Sequence, residues 1–266
     1  MTNRSALLVG VIHLPPLSGS PRSSLSATEA ARWAASDAKI LAEAGYDAII
    51  VENFGDTPFF AGRVPPVTVA AMTACALAVR EAAPNATLGI NVLRNDAEAA
   101  LSIASCVGAR FVRVNVHTGA RVTDQGIVQG EAASTLRLRK ALGAEDVAIW
   151  ADVDVKHSSP LGAPRPLVQE VEDLTKRGMA EVVLVTGEGT GKGVDVSKLA
   201  AVKKAAASAP VLVASGATLD SLSTLAQHAD GVVVGSALRL GGIPGGSIDA
   251  ALARTFATAF RTAFKR

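Results

Sequence analysis

The chain has 266 residues, a length that fits one α/β barrel or two small domains. It is 49% hydrophobic but only 4% aromatic, so its core is built mainly from Ala, Val, Leu and Ile, which suits parallel strands covered by Ala-rich helices. With 26 Lys and Arg against 24 Asp and Glu, a net charge of +2 and few aromatics to stack on bases, the sequence argues against nucleic acid as a main partner.

No segment approaches the roughly 18 uninterrupted apolar residues of a membrane span. The N-terminus lacks a signal-peptide layout, because the apolar residues 7–11 meet Pro15 and Pro16 almost at once. Cys75 and Cys106 fall in helical patterns without CxxC spacing, which reads as buried structural thiols in a reducing compartment. A soluble, cytoplasmic protein is the expectation.

Eight short β-rich runs follow one another at residues 6–12, 47–51, 88–92, 111–116, 147–153, 182–185, 211–214 and 231–234, with helical patterns between them. The first helix begins at Ser26, with Glu29 completing a capping box. The last carries Ile248, Leu252, Phe256, Phe260 and Phe264 at steps of four, a stripe suited to packing on a barrel exterior. Gly45, Gly108 and Gly178 each stand between a helix and the next strand, the mark of a tight αβ turn used repeatedly. No linker interrupts the series. Eight βα units in this length predict a single-domain (β/α)₈ barrel, a TIM barrel, over residues 1–266. The strand-to-helix segments 13–25, 53–66, 117–130, 156–166 and 187–194 are the long ones, and in such barrels they build the active-site face.

The fifth run ends in Ala148-Ile-Trp-Ala-Asp-Val-Asp-Val-Lys-His-Ser-Ser159. Strand alternation puts Trp150, Asp152, Asp154 and Lys156 on one face, with His157 opening the loop. Other strand ends supply His13, Glu52, Asn53, Asn91, Asn115, His117, Thr186, Glu188, Ser215 and Ser236. Three of the four histidines therefore stand where barrel chemistry occurs; His228 does not. The candidate catalytic set is His13, Glu52, Asn91, Asn115, Asp152, Asp154, Lys156 and His157. Asp152, Asp154 and Glu52 are candidate acids or bases. Lys156 could neutralise them, hold an anion or form a Schiff base, although a plain Asp154–Lys156 ion pair explains the spacing more simply. His13, Glu52 and Asp154 lack metal-ligand spacing, so neither a metal nor a cofactor is expected.

Ala214-Ser-Gly-Ala-Thr218 and Val234-Gly-Ser-Ala-Leu238 end the last two strands. Small residues there let backbone N–H groups approach an anion, a following helix would add its dipole, and loops in these positions commonly form this fold's phosphate site. Thr186, Gly187, Ser215, Gly216, Gly235 and Ser236 are the expected phosphate ligands. The segment Thr186-Gly-Glu-Gly-Thr-Gly-Lys-Gly193 is not a P-loop, because Thr186 stands where the first glycine is needed and Gly193 where Ser or Thr is needed. It reads as a flap that could bring Lys192 to the same phosphate.

Several of these stretches resemble the BtpA family of TIM-barrel proteins: Gly10-Val-Ile-His-Leu-Pro-Pro-Leu-Ser-Gly-Ser-Pro21, Val51-Glu-Asn-Phe-Gly-Asp-Thr-Pro-Phe59, Asn91-Val-Leu-Arg-Asn95 and Val153-Asp-Val-Lys-His-Ser-Ser-Pro-Leu161. Arg113-Val-Asn-Val-His-Thr-Gly119, Thr123-Asp-Gln-Gly126 and Thr186-Gly-Glu-Gly-Thr-Gly191 are similar to it as well. The resemblance spans the chain. It implies the barrel, and the family's name implies a role in photosystem I biogenesis. The residues themselves suggest an enzyme acting on a phosphorylated sugar or nucleotide by isomerisation, carbon–carbon cleavage or N-glycosidic cleavage. The alternative is a non-catalytic assembly or stability factor. A phosphorylated small molecule is the expected partner, and a homo-oligomer the expected state.

Overall fold

The computed structural model describes residues 6–187 and 193–265. Val- and Ile-rich strands alternate with Ala-rich helices in chain order. The first half runs β1 (Leu7–His13), α1 (Ala27–Glu43), β2 (Ala48–Glu52), α2 (Pro66–Ala82), β3 (Thr87–Asn91), α3 (Ala97–Val107) and β4 (Phe111–Val114). A hairpin of β5 (Ala120–Thr123) and β6 (Gly126–Gln129) precedes α4 (Ala132–Ala141), β7 (Ala148–Val153), the short β8 (Ser158–Pro160) and α5 (Leu167–Glu172). Then come β9 (Val182–Val185), α6 (Val196–Ala205), β10 (Val211–Val213), α7 (Leu222–Leu225), β11 (Gly231–Val234) and α8 (Ala250–Ala263).

Strands β1, β2, β3, β4, β7, β9, β10 and β11 pair in that order, all parallel, and β11 returns to β1. The expected eight-stranded TIM barrel is therefore closed. Side chains alternate across each strand, so one set fills the barrel and the other meets the helices. Val9, Val11, Ile50, Phe111, Trp150 and Leu184 belong to the interior cluster. The Phe111 and Trp150 rings stack with centroids 3.7 Å apart. Gly89 makes room for that stack, because a Cβ there would lie 2.2 Å from the Phe111 ring.

The Ser26 capping box is present: Glu29 accepts from the Ser26 N–H at 2.8 Å, and Ser26 Oγ accepts from the Glu29 N–H at 3.3 Å. In α8, Phe256 and Phe260 are buried as the stripe predicts, while Ile248 is buried just ahead of the helix.

Three local expectations are corrected. The segments 117–130 and 156–166 are not plain loops, since β5 pairs antiparallel with both β6 and β8 in a small sheet of its own. Gly178 caps the helical segment ahead of β9 as expected, in a right-handed conformation; Met179 is the left-handed residue, at φ 52°, and Gly178 is needed because a Cβ would strike the Leu174 carbonyl at 2.7 Å. Cys75 is buried in α2, but Cys106 is exposed on α3. No substantial helix follows β10 or β11 directly: α7 has four residues, and Ser236–Leu238 forms one 3₁₀ turn. The expected dipole contribution at the phosphate loops is correspondingly small.

Candidate active site at the C-terminal mouth of the barrel

Above the Phe111–Trp150 stack the inward-facing positions turn from apolar to charged. His13 on β1 pairs in register with Glu52 on β2, and Glu52 with Asn91 on β3, so three adjacent strands present polar groups at one level. All three are buried. Asn91 Nδ2 donates to Glu52 Oε2 at 2.6 Å. Glu52 Oε1 accepts no hydrogen bond among the described residues, and His13 Nε2 stands 3.9 Å from it.

Arg113 enters from β4, two residues beyond Phe111 and on the same face. Its Nε and Nη2 donate to the two oxygens of Asp152 at 3.1 and 3.0 Å, and Asn115 Nδ2 donates to Asp152 Oδ2 at 2.8 Å. Arg113 Nη1 lies 3.8 Å from Glu52 Oε2. Burial opposes the Arg113 charge, but Asp152 and then Glu52 outweigh it and hold the guanidinium above its usual pKa. Asp152 is fully enclosed and engaged on both oxygens, so it anchors Arg113 and is not a free base.

His13 is held from three sides. Its ring stacks on Phe54 with centroids 4.2 Å apart, its Nδ1 accepts the Gly245 N–H at 3.2 Å, and Gly235 lies against its edge. Burial first, then the positive charges of Arg239, Lys156 and Arg113, push its pKa well below the ordinary histidine value. The ring is therefore neutral at pH 7, and the accepting Nδ1 leaves the proton on Nε2. Beneath it, Arg239 donates to the carbonyls of Gly246, Gly235 and Val11, tying the ends of β1 and β11 together.

Lys156 extends over the mouth, its backbone N–H on Thr186 Oγ1 at 3.0 Å and its Nζ 3.5 Å from Ser215 Oγ. Burial and the neighbouring Arg113 charge lower its pKa. A small chamber of about 40 Å³ brings His13, Glu52 and Lys156 together with Ser215, Gly216 and Ser236. That is room for roughly three water-sized positions at 10–15 Å³ each, the scale of one compact anionic group. Among the described residues the N–H groups of Gly216, Ala217 and Ser236 meet no acceptor.

The sequence-predicted residues thus separate into groups. His13, Glu52, Lys156, Ser215, Gly216, Gly235 and Ser236 line one chamber. Asn91 and Asp152 support it from beneath, and Asn115 lies beside it. His157 is exposed on the wall of a wider adjoining cavity. Thr186 is committed to the Lys156 backbone and Gly187 is buried next to it. Glu188 and Lys192 lie outside the described residues.

Asp154 departs from the expectation. β7 ends at Val153 and Asp154 adopts φ 49°, so the alternation stops and its side chain leaves the face of Asp152. It pairs with Arg121, and with Lys198 at 2.5 Å. His117 also turns away: its Nε2 meets the Gly178 carbonyl at 2.8 Å. Among the described residues no cluster of three or more His, Cys, Asp or Glu is placed to hold a metal ion. No helix there is long and apolar enough to cross a membrane. Arg113 is the principal residue that strand-end reading misses, although its parity with Phe111 and Asn115 in the sequence was the available signal.

The BtpA family profile matches residues 4–262. The chain belongs to the BtpA family. A relative from Synechocystis sp., the photosystem I biogenesis protein BtpA, is 46% identical over 91% of this chain and 83% of its own length. Among solved structures the barrel is similar to N-(5'-phosphoribosyl)anthranilate isomerase from Pyrococcus furiosus, with a TM-score of 0.57 and 15% identity over 96% of this chain and 99% of that one. It is also similar to (S)-3-O-geranylgeranylglyceryl phosphate synthase from Thermoplasma acidophilum in complex with sn-glycerol-1-phosphate, with a TM-score of 0.60 and 15% identity over 97% and 94% of the two chains. At such identities these likenesses are of fold.

Proposed function

We propose that this BtpA-family barrel is an enzyme acting on a phosphorylated sugar or nucleotide, with the phosphate in the small chamber and a proton moved at the neighbouring carbon by Glu52. The observation that carries the reading is the chamber itself: a carboxylate oxygen without a donor, a half-buried lysine and two small-residue loops with open N–H groups share one space. Ser215, Ser236 and the N–H groups of Gly216, Ala217 and Ser236 would bind the phosphate, and the Lys156 ammonium would balance its charge. Glu52 Oε1 would take the proton, with the His13 Nε2–H polarising the oxygen on which charge develops. Among the described residues Glu52 is the one carboxylate in the chamber that is free to act, since Asp152 is bound to Arg113 and Asp154 points elsewhere. This favours isomerase or lyase chemistry over hydrolysis of a glycosidic bond by paired carboxylates. One of the two fold neighbours is named for a phosphoribosyl compound and the other is bound to a glycerol phosphate, in keeping with a phosphorylated substrate.

The Synechocystis relative's name favours a second reading, a biogenesis factor whose outer surface does the work. A turnover screen over phosphorylated sugars and nucleotides separates the two. Glu52→Gln should keep phosphate-ligand binding and lose at least about 100-fold in turnover, the lower range for general base catalysis. Full activity in that variant refutes the assignment, and absence of turnover with every phosphorylated compound that binds favours the biogenesis reading.

A further inference from the structure

A wider cavity of about 400 Å³ opens beside the phosphate chamber and shares Glu52, Phe54, Arg113 and Lys156 with it. Arg94 lines that wider cavity and is only 6% exposed. Its Nη2 donates to the Lys156 carbonyl at 2.7 Å. Among the described residues its Nε and Nη1 meet no acceptor. Burial lowers its pKa, only partly offset by the field of Asp152. A buried guanidinium with one neutral partner is costly to the folded state unless a ligand completes it.

The neighbouring carboxylates are not available to complete it. Asp152 is forked by Arg113; Glu52, with Oε2 on Asn91 and Oε1 facing His13, forms no ion pair with Arg94; and Asp124 sits exposed at the rim, where Gln125 donates to it. A guanidinium presents parallel N–H donors whose spacing matches the two oxygens of a carboxylate or phosphoryl group. Asn115 Oδ1, buried on the same side, also lacks a donor among the described residues and could accept from a substrate hydroxyl.

We propose that Arg94 binds a second oxyanion of the substrate, so that the natural substrate is a phosphorylated compound with a carboxylate or a second phosphoryl group at its far end. This rests on the phosphate reading of the small chamber. Calorimetric titration tests it with inorganic phosphate, glycerol 3-phosphate, a carboxylate series (phosphoglycolate, 3-phosphoglycerate, 4-phosphoerythronate) and α,ω-bisphosphates of matched lengths. At least one two-anion compound should bind roughly 10- to 100-fold more tightly than glycerol 3-phosphate, the span expected of charge-assisted hydrogen bonds. The tighter series identifies carboxylate or phosphoryl. Arg94→Met should abolish that preference while leaving inorganic phosphate and glycerol 3-phosphate within about twofold, and Arg94→Lys should keep part of it. Equal binding of one- and two-anion compounds, or a preference that survives Arg94→Met, overturns the assignment of Arg94. If no phosphate compound binds at all, the chamber reading is what fails; malonate and succinate then judge Arg94, upheld by binding that Arg94→Met removes and overturned by none.

Discussion

Asp152→Asn separates a structural from a chemical role for the residue that strand alternation most strongly marks. The substitution keeps volume and removes charge. Arg113, which now donates to the two Asp152 oxygens at 3.1 and 3.0 Å, would be left with Glu52 at 3.8 Å as its nearest carboxylate. An amide cannot serve the three donors that converge there. With its oxygen at the Oδ2 position it keeps Arg113 Nη2 and Asn115 Nδ2 but turns its NH₂ on Arg113 Nε; with its oxygen at Oδ1 it keeps Nε and turns its NH₂ on the other two donors. Removing one partner of a buried pair costs about 3–5 kcal/mol. At about 2–4 °C per kcal/mol for a protein near this size, the melting temperature should fall by about 6–20 °C. The double variant Arg113→Met/Asp152→Leu removes both buried charges and should recover most of the loss. Urea and thermal unfolding of the wild type, the single variant and the double variant provide the comparison. A loss below about 1 kcal/mol for Asp152→Asn, or a double variant no better than the single, refutes the view of Asp152 as the anchor of Arg113.

Two further predictions concern the barrel interior and the mouth. Gly89→Ala places a methyl 2.2 Å from the Phe111 ring, which is stacked on Trp150 and cannot yield freely; a loss of about 1–3 kcal/mol or more should appear in urea unfolding. Burial, above all, lowers the pKa of both His13 and His117, so the unfolded chain binds protons that the folded chain refuses. Stability should therefore rise with pH up to about 6.5 and fall as the pH drops below it, and a His13→Asn/His117→Asn variant should show a flatter acid limb in urea midpoints between about pH 7.5 and 5.5.

The barrel was legible because eight Val- and Ile-rich runs recur with helices between them, and strand parity places the polar layer above the apolar one. His13, Glu52, Asn91 and Asp152 follow from that logic. Arg113 follows from it too, but an arginine inside Phe-Val-Arg-Val reads as a surface residue unless parity is carried through from Phe111. Asp154 was misplaced for the opposite reason: the alternation was extended past Val153, and no neighbouring residue announces the left-handed turn that ends it. The β5–β6–β8 sheet was hidden because its strands are three or four residues long, with Val122 and Ile127 exposed, and Ser158–Pro160 has no strand signature. Small residues at 214–217 and 235–237 marked the loops proposed to bind phosphate, whereas the brevity of the helical turns after them depends on tertiary packing that local sequence does not encode.

Phosphate recognition at the mouth is the central claim, and a thermal-shift comparison of phosphorylated sugars and nucleoside monophosphates with their unphosphorylated parents tests it most directly. A ligand at about 100 times its Kd adds roughly 2.7 kcal/mol of stability, or about 5–11 °C for a chain of this size. The account predicts a shift with phosphorylated compounds alone, lost in Ser215→Asp and in Ser236→Asp, where a carboxylate would repel the anion. Equal shifts with the unphosphorylated parents, shifts that survive both aspartate substitutions, or no shift with any phosphorylated compound would contradict it.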